Sequence, residues 1–242
     1  MEITISYNET IYPDNHVVSK LSNIILNNIK VLKLISNIYI LEGDQKEKFS
    51  EEPEEYKLFL KGIIKNGIMS GLINEEDAGE FLELWISISS EKLGNVLEQL
   101  IAKLGPYNCM SIEKFDKSMD AKVIETKVAN DFDVIFFDEK FSAGHKKGND
   151  IKIKDYNEFH ECKKNVCTFI PTNPNAKLKK SVKNKLEFIK STYDLKKSGK
   201  YYIPTFFPLV DSQREFLNEY KSGEFSFIEI LSVNDLYFRY SG

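Results

Sequence analysis

Residues 158–165 read EFHECKKN and residues 132–138 read FDVIFFD. Both stretches have the aromatic and β-branched character of strands, and each interrupts it with charge. Along a strand successive side chains alternate between faces, so Glu161 and Lys163 share one face. Cys162 then points to the other face and presents its carbonyl nearby. In the earlier stretch Phe132, Val134 and Phe136 make one face, which leaves Asp133 on the other with Ile135. If the two strands pair, Asp133 meets Glu161. Two carboxylates at one point repel, so either a metal or a lysine has to complete the site.

Spacing alone does not single out Glu161, because an acidic residue two before a lysine occurs nine times in the chain. Asp44 and Glu55 fall at a charged loop, Asp194 and Glu219 at helix ends, and Asp120, Asp138 and Asp150 at the borders of strands. Only Glu125 and Glu161 sit within predicted strands. A rival site of Asp116 or Asp120 with Glu125 and Lys127 stays open, on a strand that reads as more exposed.

Working outward, a capped helix (Ser90, then Glu91 to Leu104) is stopped by Gly105-Pro106. Its stripe of Leu93, Leu97, Leu100, Ile101 and Leu104 buries one side and leaves Glu98 at the margin, where a carboxylate can reach the sheet's edge. Three strands follow, over 122–128, 132–138 and 158–166. Then come a lysine-rich helix over 176–193, a strand over 201–207, a helix over 212–220 and a strand over 225–231. This order predicts an α/β (α+β) architecture, a mixed central sheet flanked by helices. Upstream, a short strand over 2–7 precedes one helix over 16–40, a charged loop over 41–55 and helices over 56–66 and 75–86. The chain therefore divides into a helical region, 1–88, and a sheet-containing domain, 89–242.

Charge is unevenly spread. Residues 1–139 carry 14 basic and 25 acidic side chains, 140–200 carry 16 and 6, and 201–242 carry 3 and 6. The middle segment is the part suited to a polyanion, although a lysine-rich solvated face reads the same way. In its helix Leu178, Val182, Leu186 and Ile189 face inward, leaving Lys179, Lys180, Lys183 and Lys190 outward to neutralise phosphates without reading bases. His145 and His160 lie near the site, and an exposed loop or a buried core accounts for them as well as chemistry does. Tyr201, Tyr202, Phe206 and Phe207 read as core.

Three cysteines, Cys109, Cys162 and Cys167, form no CxxC pair and describe neither a disulfide framework nor a zinc site; all three are expected reduced. No apolar run approaches the roughly 20 residues needed to cross a bilayer, and the opening MEITISYNET lacks the regions of a secretory signal, so a cytoplasmic protein without a membrane is expected.

The order of Glu98 on a helix, Asp133 on a strand and Glu161-Cys162-Lys163 on another resembles the PD-(D/E)xK nuclease superfamily, the restriction-endonuclease-like fold. LGNVLEQLIAKLG resembles its acidic helix, and FDVIFFD with EFHECKKN its two catalytic strands. The resemblance covers roughly residues 89–231. It implies that Asp133, Glu161 and the Cys162 carbonyl hold one or two Mg²⁺ (or Mn²⁺) ions, that Glu98 assists through metal or water, and that Lys163 polarises the attacking water. The interval between Asp133 and Glu161 is longer than in many members, so GHKKGNDIKI (144–153) is expected to form an extra loop over the site. The implied activity is phosphodiester hydrolysis, with DNA the expected substrate. By analogy the acidic helical region would dock a protein partner, as in bacterial antiviral defence nucleases. Double-strand cleavage would call for a homodimer, whose interface no strand pattern marks. Two rivals are a catalytically silent nuclease fold that binds nucleic acid or assembles with partners, and a structural or signalling protein whose basic stretch binds an acidic partner.

Overall fold

The computed structural model describes residues 2–10, 12–42, 52–108, 114–155, 157–173 and 176–242. It is a mixed α/β structure. A five-stranded sheet runs in the order β2 (Phe115–Lys122), β3 (Asp131–Asp138), β5 (Glu158–His160), β6 (Lys200–Pro204), β7 (Ile228–Leu231). The first three pair antiparallel, and β5, β6 and β7 pair parallel. Parallel neighbours need crossovers, supplied by α6 (Lys180–Leu195) and α7 (Asp211–Glu219). A second, two-stranded sheet joins β1 (Ile3–Ser6) to β4 (Asp150–Ile153).

Helices α1 (Val17–Asn27), α2 (Val31–Glu42), α3 (Pro53–Met69), α4 (Glu75–Ser87), α5 (Ser90–Leu104) and α8 (Val233–Tyr240) complete the described elements. The helical stretch and one face of the sheet share a single core, in which Leu21, Ile35, Phe81, Leu97, Val134 and Phe136 are all fully buried. A second core on the other face joins Phe132, Ile135, Phe137 and Phe159 to α6, α7 and the small sheet. Among the described residues no single helix is long and apolar enough to cross a membrane. Cys162 and Cys167 are free thiols, whereas Cys109 lies outside the described residues.

Several elements differ from the reading of the sequence. The helix expected over 16–40 is two helices bent by 112°. Asn28 breaks it: its Oδ1 accepts from Lys30 N–H, an amide that a continuous helix would use, and its Nδ2 donates to the Leu72 carbonyl in a distant loop. The loop expected over 41–55 is shorter at both ends, with α2 reaching Glu42 and α3 opening on Pro53, a favoured first helical residue; 43–51 lie outside the described residues. The cap of α5 is Ser89, which accepts from Lys92 N–H, rather than Ser90.

The strand expected over 122–128 lies upstream. Its ladder with β3 ends at Lys122↔Asp131, and the connection that follows is turned aside by Glu125, whose carboxylate takes the Thr4 N–H at 2.8 Å. The rival site on Glu125 and Lys127 therefore loses its strand. Segment 144–153, expected as an extra loop over the site, joins the small sheet instead: Gly148 N–H donates to the Tyr7 carbonyl at 2.7 Å, and its second half is β4, where Ile151 and Ile153 are buried opposite Ile5 and Ile3. The lysine-rich helix starts at Lys180 rather than 176, and the final strand at Ile228 rather than 225. Helix α8 adds an element beyond those expected, although Ser232 and Asp235 form a capping box readable in SVND.

Candidate active site

The site forms where β5 runs out. Glu158 to His160 pair with both neighbours, but from Glu161 onward the segment keeps only its β6 side: Glu161 N–H donates to the Tyr202 carbonyl and Lys163 N–H to the Pro204 carbonyl, each at 2.9 Å. The strand expected over 158–166 is thus three residues long with a one-sided extension. Since odd-numbered amides here face β6, the Cys162 amide faces β3. It donates to Asp133 Oδ2 at 2.6 Å, a side chain standing where a ladder carbonyl would be expected. Extending the β3–β5 register by one pair from Val134↔His160 sets Asp133 opposite Glu161.

Lys163 ties the carboxylates together. Its Nζ lies 2.6 Å from Glu161 Oε1, 3.7 Å from Asp133 Oδ2 and 3.0 Å from the Cys162 carbonyl that it donates to. Burial pulls the Lys163 ammonium toward neutrality, but the Glu161 and Asp133 charges outweigh it and hold the group protonated above its ordinary range. Asp133 is pushed well above the carboxylate range by burial and then by Glu161, against the opposing pull of Lys163. Glu98, half-buried on α5, is raised to about 7 by burial, then by Asp120, with Lys163 opposing. The same charges acting on Asp133 and Glu98 place both within electrostatic reach of Glu161 and Lys163. Burial likewise pushes the Cys162 thiol up, so its carbonyl, not its sulfur, is the group available here.

Two further residues join the site: Lys185, which the sequence reading missed, and Asp120, which it placed only in the rival site. Lys185, on α6, places Nζ 2.8 Å from Glu161 Oε2 and 2.7 Å from the Asp131 carbonyl. Its position was legible, because it sits between Val182 and Leu186 at the margin of the buried stripe. Asp120 carries a left-handed backbone (φ 49°) and accepts from the Thr10 hydroxyl at 2.9 Å. Its alignment with Asp133 across the β2–β3 register, where the pairing steps from Met119↔Val134 to Ala121↔Phe132, was not recoverable without the structure.

Other expectations resolve simply. His160 is fully buried between Phe136 and Tyr202 and 3.0 Å from Glu158, and His145 is an exposed turn residue. Glu158 in turn accepts the Tyr107 and Asn108 amides at 2.7 Å each, pinning the end of α5, and hence Glu98, to the sheet. Lys179, Lys180 and Lys183 are exposed, but Lys190 is half-buried and bound to Asp194 at 2.6 Å.

Two carboxylates and a carbonyl, oxygen donors of the kind Mg²⁺ takes, converge on Lys163 here. Glu161 is 1% exposed, and among the described residues its two oxygens face the Lys163 and Lys185 ammoniums at 2.6 and 2.8 Å. No three His, Cys, Asp or Glu side chains among the described residues form a ready-made cage. A bound ion would therefore draw on Asp133, Glu161, the Cys162 carbonyl, and water or substrate oxygens, the manner in which Mg²⁺ is commonly held.

No family model matches the chain, and no curated protein matches it. Geometry and residue chemistry alone carry the functional reading.

Proposed function

We propose that the protein is a metal-dependent nuclease that hydrolyses phosphodiester bonds, with DNA as the expected substrate and a restriction-endonuclease-like core spanning 89–242. The observation that carries this reading is Lys163 Nζ lying 2.6 Å from Glu161 and 3.7 Å from Asp133, at the end of paired strands that follow the helix bearing Glu98. Asp133, Glu161 and the Cys162 carbonyl would hold Mg²⁺ or Mn²⁺. When bound, the ion supplies a nucleophile at neutral pH and stabilises charge on phosphate and leaving oxygen. The chain's own part is placement. Lys163, held as an ammonium, orients water and neutralises charge developing on the phosphate. Glu98, half-buried on α5, would assist by contact with the ion or with water. Lys179, Lys180 and Lys183, exposed around the start of α6, would follow the phosphate backbone. Residues 1–88, rich in acidic side chains, are suited to a protein partner rather than to nucleic acid, and a defence-system effector is the role this reading favours.

One observation favours a second reading, a silent nuclease fold that only binds: both oxygens of Glu161 already have an ammonium beside them. Incubating purified protein with supercoiled plasmid and with single-stranded DNA, in Mg²⁺ or Mn²⁺, separates the two. Cutting that disappears in Lys163→Ala and Glu161→Ala supports the nuclease. Cutting that survives both rejects the assigned residues, and salt-sensitive binding without cutting supports the silent fold.

A further inference from the structure

The nuclease reading uses one lysine, yet Glu161 has two. The second comes from a different element: Lys185 crosses from α6 to the sheet, is 13% exposed, and brings Nζ to 2.8 Å from Glu161 Oε2. Among the described residues its Nζ also meets the Asp131 carbonyl at 2.7 Å, the Asp131 carboxylate at 3.6 Å and the Phe188 ring at 5.9 Å. A buried lysine of this kind is expensive unless something at its tip requires charge. Glu161 supplies that requirement, because a fully buried carboxylate cannot stand next to Asp133 without positive charge. Lys185 thus occupies, as an ion pair at 2.8 Å, the side of Glu161 that a cation would otherwise neutralise.

We propose that Lys185 is an internal stand-in for the divalent cation: it holds Glu161 in place while no ion is bound and competes with the ion for that carboxylate. This rests on the nuclease reading. Lys185 is a positioning residue in these terms, and its charge sets the ion concentration at which the site fills. Its anchorage on the Asp131 carbonyl gives the ammonium a place to remain when Glu161 turns its charge to a metal.

The test is Mn²⁺ binding by calorimetry, with melting curves beside it, on the full chain and on Lys185→Met, Lys185→Arg and the remote control Lys57→Met. Methionine keeps much of the lysine stem's packing and removes its charge. The expected result is that Lys185→Met binds Mn²⁺ roughly tenfold more tightly than wild type, while Lys185→Arg and Lys57→Met do not. Lys185→Met should also melt lower than wild type without ion and recover more on adding Mn²⁺, since a ligand that binds the folded state stabilises it by its affinity. Equal or weaker Mn²⁺ binding by Lys185→Met, with equal melting shifts in both proteins, would overturn the stand-in role and leave the nuclease reading intact. Absence of Mn²⁺ binding in every form, Lys185→Met included, would overturn both.

Discussion

Asp133 Oδ2 accepts the backbone N–H of Cys162 at 2.6 Å, so the side chain of one strand performs the office of its main chain at the point where the strands part. The same carboxylate would be a metal ligand, and the two duties separate by substitution. Asp133→Ala leaves a buried amide without its acceptor, a loss of about 1–3 kcal/mol. Asp133→Asn can keep an acceptor and should stay within about 1 kcal/mol of wild type, yet lose cleavage and Mn²⁺ binding. Urea unfolding and plasmid cleavage, run side by side, check this; an Asn variant that cuts normally would remove Asp133 from the ligand set.

Glu98 gives a pH signature. Its folded pKa, about 7, stands above the ordinary 4.5, so the folded state holds the proton more strongly than the unfolded chain. Its stabilising contribution is complete below the ordinary value and is lost as pH rises through the folded one. Asp133 shifts in the same direction. Relative to Glu98→Gln, wild type should therefore lose stability as pH rises from about 4.5 to about 7 in the absence of divalent ions. Denaturant midpoints measured across that range test it, and a difference that widened in favour of wild type with rising pH would contradict the site's excess of buried acid.

The lysines of α6 should not be equivalent. Lys179, Lys180 and Lys183 are exposed, whereas Lys190 is occupied by Asp194. Replacing the first three by Ala should reduce the slope of log affinity against log salt by up to about 0.9 for each phosphate of duplex DNA left without its lysine. Lys190→Ala should change it much less. Fluorescence anisotropy over a salt series reads both, and equal effects would mean that the ion pair opens on binding.

Gly105 ends the helix that carries Glu98, with φ 89°, and a Cβ there would come 2.8 Å from the Phe115 ring. Gly105→Ala meets both a disfavoured backbone and an aromatic wall, so it should destabilise by more than about 1 kcal/mol. It should also lower cleavage beyond what lost stability explains, because the turn anchors α5 through the Tyr240 hydroxyl, 2.8 Å from the Gly105 carbonyl. Thermal melts and cleavage rates at a temperature where both proteins are folded check the two parts.

Assumed strand pairing set Asp133 opposite Glu161, but simple alternation failed at the start of β3: Phe132, read on the face of Val134 and Phe136, packs instead with Ile135 and Phe137 in the second core. What escaped depends on interactions across the chain. Asn28 breaks a helix by reaching Leu72, and β4 exists because Ile151 and Ile153 meet Ile5 and Ile3. Glu125 is drawn from the sheet by Thr4. Lys185 was visible as a marginal position, but lysine there reads as solvated until the length of its stem is measured against the distance to Glu161. Pattern proposes which face a side chain occupies; the identity of its partner is a tertiary property.

Pairing of Ile3–Ser6 with Asp150–Ile153 has a consequence for the nascent chain. A ribosome adds about 5–20 residues per second, so β1 emerges on the order of ten seconds before the strand it pairs with. During that interval Ile3 and Ile5, fully buried in the finished protein, have no β4 to cover them. β1 is thus made well before it can be seated, and it joins the second core only after residue 153 has left the exit tunnel.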